Sequence, residues 1–396
     1  MRGFKGVYFV VLFFVLLFAV SCSSNTTGGD ATSSVDTNQA SSQEAQVPSS
    51  QENTTASADS DWNAVIEAAK KEGKVVVGAP PGQGYRDVIT KFEEAYPGIK
   101  VELSGLTPGE FEPKVTSERQ AHQFLWDIWI SGIGGTVFTE QIPNGWYQPI
   151  RSVIRDDIAV DDVWTGGFES GFLDDEKQYV FDFGIVQFQT IFVNRDIVPE
   201  SEFNSYEDLF DPKWKGKIAM RDPRGRGAGR TTLAFILDKY GEEKVKQLLV
   251  DQEVVVSGTP QQLVDWGVRG NYPIVIGMTR VDLSNVQKQG VGLNVKPVQL
   301  EANKTIITPE SSAMMLMDKS PHPNAAKLFI NWLLSKETQT LWGKHVRTNS
   351  RRADVPPADP SVAVDENLWE NATNLNREES ADLLNVAQEM AKELIK

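Results

Sequence analysis

The chain has 396 residues, with 39 basic side chains against 54 acidic ones and a formal net charge of −15. An acidic surplus of this kind argues against docking on nucleic acid or on anionic lipid by charge, but it does not set the sign of a local pocket. Cys22 is the only cysteine, which excludes an internal disulfide, so the fold rests on its apolar core.

In chain order, Arg2 and Lys5 precede an apolar run, Val7 to Val20, that ends in Ala19-Val20-Ser21-Cys22. The run is short for a membrane span, which needs about 20 apolar residues. Its order of basic, apolar and small residues is that of a secretory signal. The segment resembles a bacterial lipoprotein lipobox. The resemblance implies a signal peptide over 1–21 and lipids on Cys22, whose two acyl chains suffice for stable anchoring. It places the mature protein at the outer face of the cell membrane or in the periplasm. Residues 22–60 are rich in Ser, Thr, Gln and Asn and nearly devoid of large apolar side chains. This composition predicts a disordered tether.

The body, from Asp61 on, is long for one core and predicts two lobes. Helix and strand signals alternate. Helices are predicted over 61–69, 85–96, 115–121, 231–240, 242–250, 261–269, 281–289, 323–334, 337–344 and 378–395. Strands are predicted over 74–78, 99–103, 126–130, 179–181, 189–193, 216–220 and 273–276. The first strand, helix and strand make a βαβ unit, which predicts parallel pairing and an α/β fold.

Three segments carry a family resemblance: Lys91-Phe-Glu-Glu-Ala-Tyr-Pro-Gly-Ile-Lys-Val101, Phe210-Asp-Pro-Lys-Trp-Lys-Gly-Lys-Ile-Ala-Met220, and His322-Pro-Asn-Ala-Ala-Lys-Leu-Phe-Ile-Asn-Trp-Leu-Leu-Ser335. In order and spacing they resemble the iron(III)-type, family-1 branch of ABC-transporter extracellular solute-binding proteins. The resemblance implies a type II periplasmic-binding-protein-like fold, with a hinge and an interlobe cleft. Lobe 1 is expected over 61–186 and 306–396, with the tail's place open, and lobe 2 over 187–305. It further implies capture of a small solute by lobe closure, delivery to an ABC permease, no catalysis, no cofactor, and a monomer.

In open α/β sheets, ligands bind beyond the carboxyl ends of strands. Four loops fit that place: 79–84, 131–135, 221–230 and 278–280. The third holds Arg224, Arg226 and Arg230 among Gly225, Gly227 and Gly229, just before Thr231. Arginine forks and a helix amino end both favour an anion, and glycines let a ligand approach the backbone. A solvated basic loop is the plainer reading. Arg280 follows a buried strand and either faces the cleft or pairs with Asp282. Tyr85 and Arg86 open a first-lobe helix, and Ser131 with Gly132 offer hydroxyl and N–H donors. Asp127 can pair with an amine or cap a loop. Trp126 and Trp129 either stack on ligand or pack in the core.

The ferric branch uses two adjacent tyrosines in lobe 2, whereas the matching stretch here reads Gly277-Met-Thr-Arg280 and no Tyr-Tyr pair occurs. The favoured solute is therefore an anion, with a ferric or cationic (polyamine- or thiamine-like) solute as the alternative. His122, His322 and His345 form no motif, and HExxH and GxSxG are absent, so the residues offer an enzyme reading little support.

Overall fold

The computed structural model describes residues 52–395. The expected signal peptide, Cys22 and most of the expected tether lie outside the described residues.

Strands β1 (Lys74–Ala79), β2 (Lys100–Gly105), β3 (Ile128–Ser131), β4 (Tyr147–Gln148) and β5 (Phe181–Asp182) belong to the first lobe. β6 (Val186–Gln187) leads out of it. The second lobe holds β7 (Ile191–Asn194), β8 (Ile218–Arg221), β9 (Val255–Ser257), β10 (Ile274–Ile276) and β11 (Val295–Pro297). β12 (Ile307–Thr308) leads back to β13 (Ala313–Met317). The lobe 1 sheet runs β2-β1-β3-β13-β4, with β5 also on β13, and the lobe 2 sheet runs β11-β7-β10-β8-β9. β1 is parallel to β2 and β3, while β13 runs antiparallel to its partners. β8 is parallel to β9 and β10. Between the sheets, β6 and β12 pair antiparallel, Val186 with Thr308 and Gln187 with Ile307.

Helices α1 (Glu52–Glu72), α2 (Gln83–Ile89), α3 (Phe92–Ala95) and α4 (Pro108–Gln120) belong to lobe 1. In lobe 2 lie α5 (Ala228–Tyr240), α6 (Glu242–Lys246), α7 (Pro260–Arg269) and α8 (Arg280–Gln287). After β13 come α9 (Pro323–Leu333), α10 (Lys336–Val346), α11 (Glu366–Asn371) and α12 (Ala381–Leu394). α1 starts upstream of the expected Asp61. The single helix expected over 85–96 is two, α2 and α3. α4 is longer than expected, because Thr107 and Glu110 form a capping box with Pro108 in the first turn.

Strand alternation sorts the core into layers, since successive side chains take opposite faces. In lobe 1, Val75, Val77, Ile128 and Ile130 pack with Val88, Phe92, Ala325 and Phe329. Trp129, Met315 and Met317 pack on the other face with Phe111, Val115 and Phe138. In lobe 2, Ile191, Ile218, Met220 and Ile276 meet Leu233 and Phe235 of α5, and Phe192, Ala219 and Val275 meet Leu263 and Val264 of α7. Two helix layers on one sheet follow from strands that are apolar on both faces.

The structure gives the tail, whose place the sequence leaves open, a position on both lobes. α12 buries Leu384, Ala387 and Ala391 in the lobe 2 core. Its start stays with lobe 1, where Ala381 joins that lobe's outer cluster. Just before it, Arg377 donates to the carbonyls of Ser170 and Phe172, and Glu378 accepts from the Asp175 N–H. The apolar stripe of α12 is legible in the sequence, but the partner that covers it is not.

Candidate functional site

The carboxyl ends of β8 and β10 carry the lobe 2 loops. The Asp222 N–H donates to Ser257 and the Gly277 N–H donates to Thr190, which hold both loops against the sheet edge. α5 opens after Gly227, whose φ of 129° suits only glycine among ordinary residues. Gly229 lies against the Arg221 carbonyl, where an added Cβ would stand 2.0 Å from the oxygen. The amino end of α5 is thus pressed onto the end of β8, with its first N–H groups free of intrahelical partners.

Arg224, Arg226 and Arg230 have three different fates. Arg224 forks onto Asp222, with Nε 3.0 Å from Oδ1 and Nη2 2.8 Å from Oδ2. That contact holds the Asp222 carboxyl below its ordinary range. Arg226 leaves its lobe altogether. Its Nη1 donates to Glu112 Oε1 of α4 at 3.2 Å, and its Nη2 to Thr136 Oγ1 at 2.6 Å. Arg230 is only 7% exposed. Its Nη1 donates to the neutral Gln388 of α12 at 3.1 Å, and its Nε has no partner. Burial, and then the like charge of Arg226, push its pKa down. Among the described residues no carboxylate forms a salt bridge with it. Thr231 Oγ1 turns back to the Gly227 carbonyl at 3.3 Å.

A second group forms where α8 meets lobe 1. Arg280 pairs with Asp359, not with Asp282, whose carboxylate caps α8 through Thr279. Asp359 is held by a two-way exchange with Asn349. Beside them Glu310 accepts from Thr348 Oγ1 at 2.9 Å. Burial raises the Glu310 carboxyl, against the opposing effects of Thr348 and Arg280. Burial raises the Tyr85 phenol, against the opposing effect of Ser311. Its ring meets Trp342 edge-on at 5.5 Å.

Gly132 packs on the Glu310 carbonyl, where a Cβ would lie 2.8 Å away. The Ser131 hydroxyl is spent on the Gly132 carbonyl at 2.7 Å and is 2% exposed. Arg86 is exposed on α2. The structure therefore gathers Tyr85, Gly132 and Arg280 around Glu310. It gathers Arg224, Arg226, Gly227, Gly229, Arg230 and Thr231 at α5, and leaves Arg86 and the Ser131 hydroxyl out.

The structure decides two alternatives that the sequence leaves open. Asp127 is fully buried and takes hydrogen bonds from the Val76 N–H, Ser320, and both the N–H and Nδ1 of His322. It locks β1 to the start of α9, with no capacity left for an amine ligand. Trp129 stacks on Phe111 with ring centres 3.7 Å apart, and Trp126 meets Phe111 edge-on, so both are core residues. Glu112, Thr136, Glu310, Asp359 and Gln388 were missed. Only Glu112 had a sequence signal, since the Thr107–Glu110 capping box places it in the first turns of α4.

A cavity of about 730 Å³ lies elsewhere, lined by Trp164, Gly166, Arg352 and Trp369 among others. No residue of lobe 2 lines it, so lobe closure does not shape it.

Two α/β lobes joined by a strand pair, with polar loops facing each other at the sheet ends, define a two-lobed binding protein. The chain belongs to the bacterial extracellular solute-binding proteins, whose family model matches residues 77–340. It is a solute-binding protein of the ABC-importer type, in a family that binds and transports and does not catalyse. Among curated proteins it is similar to an uncharacterized protein of Haemophilus influenzae, 25% identical over 314 residues, covering 75% of this chain and 85% of that one. Among solved structures it is similar to a Trichodesmium protein in complex with iron and citrate. That likeness has a TM-score of 0.63 at 18% identity and covers 82% of this chain and 99% of the other. The ferric binding protein of Campylobacter jejuni gives 0.60 at 20% identity over 81% and 98%, and that of Bordetella gives 0.61 at 17% over 81% and 98%. These likenesses carry the fold. No helix among the described residues is long and apolar enough to cross a membrane.

Proposed function

We propose that the solute is a small anion, held between the lobes at the amino end of α5 with Arg230 as its counter-charge. The observation that carries this reading is Arg230 itself. A guanidinium buried without a carboxylate is costly, and its neighbouring cation, Arg226, adds repulsion. An anion at the α5 amino end relieves both, and meets a helix terminus that already favours negative charge. Tyr85, Gly132 and Arg280 flank the same cleft. The protein does no chemistry on its solute: it closes on it, excludes water, and passes it as a monomer to a membrane permease. Its tether ends in the lipids of Cys22, on the outer side of the membrane.

A second reading follows the neighbours described as binding iron, one of them together with citrate. Tyr85, Glu310 and Asp359 bring oxygen donors near Arg280, and an accompanying anion suits the arginines. A thermal-shift panel of phosphate, phosphonates, di- and tricarboxylates, polyamines, thiamine and ferric citrate separates the readings. A ligand at 100 times its Kd stabilises the fold by about 2.7 kcal/mol. We expect a shift with an anion that Arg230→Gln abolishes. A shift only with polyamines, or one that Arg230→Gln leaves intact, overturns the anion site.

A further inference from the structure

We infer that Arg226, Glu112 and Thr136 form a latch across the cleft that holds the lobes together without any ligand. The arginine is rooted in the lobe 2 loop and both partners are rooted in lobe 1, so the contact exists only while the lobes are closed. The three side chains make a closed network. Arg226 donates to Glu112 at 3.2 Å and to Thr136 at 2.6 Å, and the Thr136 hydroxyl lies 3.4 Å from the same Glu112 oxygen.

The backbone on both sides is shaped for this reach. Opposite the guanidinium stands Gly134, where a Cβ would lie 2.3 Å from Nη2. Any larger residue there would push the fork off its partners. On the other side Gly227, at a φ of 129°, turns the chain immediately after Arg226.

The polarity of the latch repeats at the second group. There lobe 2 again supplies the cation, Arg280, and lobe 1 the acid, Asp359. In both of these pairs the cation comes from lobe 2 and the acid from lobe 1, and closure brings them together. The latch also sets what a ligand must do. Glu112 is a built-in carboxylate already seated on Arg226, so an anion at the α5 amino end binds beside a paired arginine. Of Arg224, Arg226 and Arg230, this leaves Arg230 without a carboxylate salt bridge among the described residues.

The pair is partly open to water, with side chains 41% and 27% exposed. A contact of that kind shifts the ratio of closed to open protein by about two- to five-fold, and salt screens it. The test uses no ligand, so it stands or falls apart from the anion reading. Dyes are placed on Glu94→Cys in lobe 1 and Lys215→Cys in lobe 2, in a Cys22→Ser background, and single-molecule energy transfer reports the closed fraction. Arg226→Ala, Glu112→Gln and Gly134→Ala should each lower the closed-to-open ratio about two- to five-fold. The Arg226→Ala/Glu112→Gln pair should do little more than either alone, because both remove one interaction. Raising salt should open the parent more than it opens the Arg226→Ala and Glu112→Gln variants. Gly134→Ala guards against a folding artefact, since the atoms nearest its Cβ belong to the flexible end of Arg226 and the circular dichroism should match the parent's. An unchanged closed fraction in these variants, or additive losses in the double variant, would overturn the latch.

Discussion

Asp182 gives a pH dependence that is worked from the structure. Its side chain is fully buried at the end of β5. Oδ1 accepts from the Gly184 N–H at 3.0 Å, and Oδ2 has no partner. The neighbouring Arg351, also fully buried, spends its donors on carbonyls: on Asp182 itself through Nε at 3.1 Å, and on Thr165, Gly167 and Phe168. Burial raises the Asp182 carboxyl to about 7, against the partial pull of the Arg351 charge. The folded pKa thus lies above the unfolded value of 3.8. Folding favours the protonated form, so this contribution is fully present below about pH 4 and is lost as pH rises through about 7. Some three pKa units at about 1.4 kcal/mol each make about 4 kcal/mol.

Asp182→Asn keeps the acceptor for Gly184 and cannot ionise. Its stability relative to the parent should therefore rise by up to about 4 kcal/mol between pH 4 and pH 8. Urea unfolding of both proteins at pH 4, 6 and 8 measures it. Parallel pH curves would refute the reasoning. A variant less stable than the parent at pH 8 would refute it more strongly, by showing an ionised Asp182 that Arg351 stabilises.

Two other predictions concern the ends of the argument. Gly229→Ala drives a Cβ into the Arg221 carbonyl, a rigid backbone atom 2.0 Å away. It should cost about 1–3 kcal/mol as overpacking does, read as a lower urea midpoint; a change under about 0.5 kcal/mol, within surface-substitution scatter, would mean the α5–β8 junction yields freely. Cys22→Ala should abolish labelling by a radioactive fatty acid and move the protein out of the membrane fraction or leave it unprocessed, whereas retained label would overturn the lipid anchor.

The alternation of helix and strand signals was legible because each depends on local spacing. The βαβ start is an example: Val75 and Val77 alternate with Val76, and Pro97-Gly98 breaks the chain before the next strand. Boundaries in the structure differ from the sequence pattern where they depend on hydrogen bonds that periodicity does not see. The capping box lengthened α4, and the helix expected over 85–96 split at Thr90 and Lys91. At the site, the arginine loop was visible as composition, but the division of labour within it was not. Arg224, Arg226 and Arg230 look alike in sequence. What separates them is one partner two residues away, one partner 114 positions away and one 158 positions away.

The amino-acid sequence alone determined the α/β alternation, the family resemblance, the lipobox-like pattern before Cys22 and the presence of a basic glycine loop before a helix. All of these are patterns of neighbouring residues, set by backbone period, turn chemistry and composition. Only the tertiary structure decided that α12 covers α5, that Asp127 is a lock and not a ligand contact, that Arg226 crosses the cleft, and that Arg230 is left buried without a carboxylate. Those are facts about burial and charge between residues far apart in the chain. They arise only once two sheets and a returning tail bring the residues within hydrogen-bond reach.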